Sequence, residues 1–157
     1  MKSYPTGSLF LIVVCTIVGC YDCGPQAEPT ITLNIAPGSL PNLREIGAMG
    51  TKSDSVLTRV EFGNYYNTFG LPVSMLQDST TFLLFSDNKS DTLILFYKRI
   101  FDKIKQCGYY IDLAEPTSGP RFRTTLSNIS VEYNSYLGPI MINRPWPRGI
   151  IITIQNP

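Results

Sequence analysis

From residue 30 onward the chain alternates short apolar runs with clusters of turn residues, and few stretches keep a helical period for a useful length. Strands are predicted at Thr30 to Ile35, Leu43 to Ala48, Ser55 to Val60, Leu71 to Met75 and Thr80 to Phe85. Further strands are expected at Thr92 to Lys98, Tyr109 to Ala114, Phe122 to Tyr133 and Ile150 to Ile154. Asp87-Asn88-Lys89-Ser90-Asp91 lies between two apolar runs and reads as a hairpin turn. Glu115-Pro116-Thr117-Ser118-Gly119-Pro120 reads as another turn. Sequential antiparallel pairing is the simplest connection of these elements. Leu93-Ile94-Leu95-Phe96 and Ile150-Ile151-Ile152 are apolar at every position, as in central strands covered on both faces. Two stacked sheets would cover them, so the expected fold is an all-β antiparallel β-sandwich, immunoglobulin-like or similar. Ile100, Phe101 and Ile104 are also compatible with one or two helical turns, which leaves that segment open. Pro139, Pro145 and Pro147 around Trp146 read as a long connection before the last strand.

The first residues follow a different pattern. A basic start, Met1-Lys2, precedes the apolar segment Leu9 to Val18. That segment is about ten residues, against the roughly 20 a spanning helix needs. Ile17-Val18-Gly19-Cys20 closes it and resembles the bacterial lipoprotein processing box. There the cysteine thiol takes a diacylglyceryl group and a small residue before it admits the peptidase. Two or three palmitate-type chains, at about 0.8 kcal/mol per buried CH2, hold a domain on a bilayer almost permanently. A generic secretory leader cut elsewhere, or a retained anchor, is the other option. The expected organisation is a signal peptide over residues 1–19, a lipidated short tether over 20–29 and a single β-sandwich domain over 30–157, a length that suits one core.

With Cys15 lost in the leader and Cys20 lipidated, Cys23 and Cys107 remain in an oxidising compartment and are expected to form a disulfide. Closing a loop of about 85 residues contributes up to about 4.6 kcal/mol in the chain-entropy model. Cys23 lies three residues from Cys20. An extended link of that length spans about 10 Å, so the bridge would hold the domain on a short leash. Lys98, Arg99, Lys103 and Lys105 lie just before Cys107 and are candidate membrane-facing cations, or else an ordinary solvated strand edge.

Composition narrows the function. The chain has 13 Lys and Arg against 12 Asp and Glu, so no global field points to nucleic acid. It has no histidine, the side chain that dominates general-base and metal-ligand roles near neutrality. No cofactor and no metal are expected. Asp87, Asn88, Ser90 and Asp91 offer oxygens, but in an order that matches no calcium loop. Glu61 with Asp112 can be imagined as a hydrolytic pair, though nothing in the sequence brings them together. Ser55, Ser79 and Thr92 each follow an aspartate and precede an apolar residue or threonine. That pattern resembles a bacterial O-glycosylation acceptor, and it is equally the signature of a turn leading into a strand. Tyr65-Tyr66, Tyr109-Tyr110 and Trp146 could offer rings to a sugar or peptide, or could pack in the core.

Leu71-Pro72-Val73, Asp78-Ser79-Thr80-Thr81-Phe82, Asp91-Thr92-Leu93, Tyr97 and Cys107-Gly108-Tyr109 resemble a family of small Bacteroidetes-type lipoproteins of unknown function. The resemblance covers roughly Cys20 to Leu113 and supports the Cys23–Cys107 pairing and an outer-membrane location. The lysine-rich stretch between Tyr97 and Cys107 departs from the more acidic, proline-containing family pattern. The resemblance carries over no catalytic residue. The expected function is that of an envelope lipoprotein, held in the bilayer through Cys20, with a structural or protein-interaction role toward another envelope protein and no enzymatic activity. The alternative is a glycan- or peptide-binding module using aromatic loops.

Overall fold

The computed structural model describes residues 21–22, 29–51, 57–58, 67–104, 108–136, 138–139 and 149–156. The described residues contain no helix. Their strands are β1 (Tyr21–Asp22), β2 (Thr30–Ile35), β3 (Leu43–Met49), β4 (Leu57–Thr58), β5 (Asn67–Pro72), β6 (Ser79–Ser86) and β7 (Ser90–Phe96). They continue with β8 (Lys98–Ile104), β9 (Gly108–Ala114), β10 (Phe122–Thr124), β11 (Ile129–Tyr133), β12 (Gly138–Pro139) and β13 (Ile150–Ile154).

Two sheets form the body. One has the order β10-β7-β6-β3-β4 and the other β11-β13-β2-β5, while β8 pairs with β9 and β1 with β12. The strand period of two decides which residues meet between the main sheets. Ile31, Leu33 and Ile35 of β2 and Ile150, Ile152 and Ile154 of β13 face Ile46, Phe82, Leu84, Leu93 and Leu95 of the other sheet, all essentially without solvent contact. The sandwich is thus built as the apolar alternation predicts.

The strands at Thr30–Ile35 and Ile150–Ile154 fall where they are expected, and β6 and β7 form the predicted hairpin, closed where Ser86 N–H donates to the Lys89 carbonyl at 2.9 Å. Three details differ from expectation. Pairing is not purely sequential: β13 enters between β11 and β2 and runs parallel to β2, from Ile151 opposite Thr32 to Ile154 opposite Ile35. Both strands bury every second side chain fully, so an interior position suits each of them. The run expected from Leu71 instead starts at Asn67 and stops at Pro72, whose missing N–H ends the ladder. The run from Phe122 to Tyr133 divides between the two sheets at a turn where Asn128 adopts φ 52°, a conformation asparagine tolerates. The segment left open at Ile100, Phe101 and Ile104 lies on a strand, β8. Of the stretch expected at Ser55 to Val60, only Leu57–Thr58 lies among the described residues.

Candidate functional site

The β7 strand runs into β8 through a single residue, Tyr97, and the returning strand β9 leads through the Glu115 to Pro120 turn into β10, which pairs with β7. β8 and β9 therefore form an arm that leaves the sandwich at one end of the five-stranded sheet. Its root is tied down by buried polar groups. Tyr97 is buried, and its hydroxyl donates to the Ser74 carbonyl at 2.6 Å. Thr80 Oγ1 lies 2.7 Å from the Tyr97 oxygen and accepts from Ser74 N–H at 2.7 Å. With the Tyr97 proton committed to Ser74, Thr80 is the donor to Tyr97, and the four groups close a ring in which every polar atom is satisfied. Burial pushes the Tyr97 phenol above its usual range, with the hydrogen bond from Thr80 opposing.

Arg99 and Asp112 complete the root. The Arg99 guanidinium donates to Asp78 Oδ1 at 2.7 Å and to the Met75 carbonyl at 2.6 Å. Asp112 is buried, and its Oδ1 accepts from Leu113 N–H at 2.9 Å and Tyr136 N–H at 3.0 Å, while Ser135 Oγ donates to its Oδ2 at 2.5 Å. This carboxylate is a structural acceptor that joins the arm to the segment after β11. Tyr133, on β11, reaches across to donate to the Phe96 carbonyl at 2.5 Å. Beyond this root Phe101 keeps 61% of its surface in solvent, and Lys103 is also exposed.

A second feature lies on the outward face of the five-stranded sheet. Strand alternation puts Phe82, Leu84, Leu93 and Leu95 inside and sends Leu83, Phe85, Ile94 and Phe96 outward. Met49 joins them across the Met49–Thr81–Ile94 register. Met49 is 56% and Phe85 37% exposed, and Leu83, Ile94 and Phe96 are half-buried. Gly47 lies beside the Phe85 ring, where a Cβ would make an ordinary contact at 3.8 Å. Arg123 borders the patch with its guanidinium carbon 5.9 Å from the centre of the Phe96 ring, a cation–π contact. The continuous apolar run of β7 thus serves one buried face and one open face, a correction to the expectation of two covered faces.

Near the root, Asp78, Phe96, Lys98, Pro116, Thr117 and Pro120 line a shallow groove of about 330 Å³. It combines Phe96 and the otherwise buried Tyr97 with two prolines and one charge of each sign.

The basic residues sit in different surroundings. Lys98 is exposed beside the groove, Arg99 is held by Asp78, and Lys103 stands out on the arm, while Lys105 lies outside the described residues. Cys20, Cys23, Cys107, Ser55, Glu61, Tyr65, Tyr66 and Trp146 also lie outside them. Ser79 opens β6 in a half-buried position next to the exposed, ion-paired Asp78. Thr92 sits mid-strand, its backbone tied to Thr124 and Thr125 and its neighbours Asp91 and Leu93 buried, so Ser79 is the more open of these two triplets. The oxygen-rich turn is spent internally: Asp87 pairs with Arg44, and Asp91 pairs with Lys89 at 2.8 Å and accepts from Thr125 at 3.0 Å. Among the described residues no group of three or more Cys, Asp or Glu could hold a metal ion. The outward apolar face escaped sequence reading because both parities of β7 are apolar; its signal was the continuous run itself. The chain matches no protein-family model, no curated protein and no solved structure.

Proposed function

We propose that this chain is a lipid-anchored component of a bacterial cell envelope, held in the outer membrane through Cys20, which docks another envelope protein through the outward face of its five-stranded sheet. The observation that supports this role is the open apolar surface of Met49, Leu83, Phe85, Ile94 and Phe96. These apolar side chains share the face with Thr81 and Thr92, and a cluster of exposed apolar groups among polar ones is characteristic of interaction sites. Glu45 and Arg123 stand at opposite sides of it, which gives a partner an orientation as well as an area to bury. The leader, Cys20 and the resemblance to envelope lipoproteins support the anchor. No catalytic activity is assigned. Photo-crosslinkers at positions 83 and 85, tested in native envelopes, are expected to give one adduct species, lost on Met49→Lys. The same probe at Leu76, an isolated turn residue 88% exposed, gives none. Equal labelling at all three positions would contradict the docking role.

The groove beside Phe96 favours a second role, binding of a glycan or an extended peptide, since a ring and two prolines offer stacking surface at small entropic cost. Saturable binding to a glycan or peptide array, abolished by Phe96→Ala and unaffected by Met49→Lys, distinguishes this role from protein docking.

A further inference from the structure

We infer that the distal half of the β8–β9 arm rests on the bilayer itself, with Phe101 inserted among the lipids and Lys103 at the anionic headgroups. The arm has two unlike halves. At the root, Leu113 is buried, Asp112 is fully hydrogen-bonded and Arg99 is fixed to Asp78 and Met75. Two residues beyond Arg99, about 7 Å along a strand, Phe101 is exposed and pairs in register with the half-buried Ile111. Lys103 follows two positions later, so Phe101 and Lys103 share the strand parity of Arg99. Among the described residues β8 and β9 pair in a ladder only with each other, while Phe101 keeps 61% of its surface in solvent.

A large exposed ring beside a half-buried isoleucine is unfavourable in water, and a cation next to them does not suit an apolar protein pocket. An anionic bilayer surface satisfies both: the ring enters the acyl boundary while the ammonium stays with the headgroups. Chain connectivity brings that surface within reach. The strand leads toward Cys107 in sequence, and Cys107 is the expected partner of Cys23, three residues from the anchor. The inference rests on the anchored role proposed above for this proximity. It adds to the four-cation surface expected from sequence an apolar contact, Phe101, that a count of charges does not reveal, with the exposed Lys103 two positions along the same strand face.

The test uses the full chain as isolated from membranes, carrying Phe101→Trp in a Trp146→Phe background, so that position 101 holds the one tryptophan. In vesicles containing phosphatidylglycerol its emission shifts to the blue and is quenched by brominated acyl chains. Lys103→Gln lowers the arm's insertion equilibrium constant, derived from the quenched fraction, by about the fivefold that one interfacial cation contributes. Phe85→Trp in the same background, at the opposite end of the β6–β7 pair, shows neither change. Unshifted, unquenched emission from the acylated Phe101→Trp protein overturns the inference and leaves the anchor standing. A blue shift that grows with protein density in neutral vesicles assigns the face to a second copy of the chain and overturns it too. Quenching of the Phe101→Trp protein when its Cys20 carries no lipid supports the arm and refutes the anchor.

Discussion

Tyr97 shows how much of this fold depends on single polar atoms. Its hydroxyl sits in a closed ring with Ser74 and Thr80 at the point where the chain leaves the sandwich. Tyr97→Phe removes the donor to a buried carbonyl, and the expected loss is about 1–3 kcal/mol, measured by urea unfolding. Gly149 is a second such position. It has φ 71°, and a Cβ there would lie 2.3 Å from the Tyr136 ring. Gly149→Ala therefore combines left-handed strain with overpacking and is expected to cost about 2–4 kcal/mol. Tyr133 provides a pH signature. Burial pushes its phenol up to about 12, the Glu115 carboxylate adds to the shift and Arg121 opposes it. The native state keeps a proton that the unfolded chain releases near pH ~10. Its contribution is therefore complete below pH ~10 and is lost as pH rises toward ~12, so stability falls across that window. Tyr133→Phe should flatten this slope in urea titrations at stepped pH. None of these roles is legible in sequence. Tyr97 reads as one more strand residue, and Asp112 reads as half of an imagined acid pair until Ser135 and Tyr136 appear beside it.

Elements with a clean alternation were legible to within a residue or two. β2 and β13 carry a branched apolar residue at every inward position and are bounded by turn residues, so local pattern and global burial agree. Where the pattern misled, a second constraint had taken over. Pro72 stops a strand that side chains alone would continue, and Asn128 turns a run that looks unbroken. The neighbours of a strand are not written in its own residues, which is why the parallel entry of β13 beside β2 was not foreseen. The arm illustrates the same separation of pattern from context. Leu113 and Phe101 are both apolar residues of the β8–β9 pair, yet one is buried and the other open. Leu113→Ala is expected to cost about 2–5 kcal/mol. Phe101→Ala should stay within about 0.5 kcal/mol, the range of exposed positions away from special contacts. Denaturation of the two variants side by side checks that the root, and not the distal half, belongs to the core. The Cys23–Cys107 bridge is tested at this scale as well. Cys107 should resist alkylation until reduction, and Cys23→Ser should expose it.

At the scale of the molecule, two sheets enclose one core while the five-stranded sheet also turns Met49, Leu83, Phe85, Ile94 and Phe96 outward. That surface and the exposed arm lie at different places: the patch spreads over β3, β6 and β7, and the arm leaves from the Phe96 end of β7. An anchored domain resting on the arm can thus turn its sheet face toward a partner while the lipid holds it in place. The anchored orientation follows only if Cys20 carries the lipid. The direct measurement is the mass of the N-terminal peptide of protein isolated from its native envelope. The account predicts a chain beginning at Cys20 whose excess mass equals a diacylglyceryl group with or without a further acyl chain. A chain beginning elsewhere, or an unmodified Cys20, would contradict it.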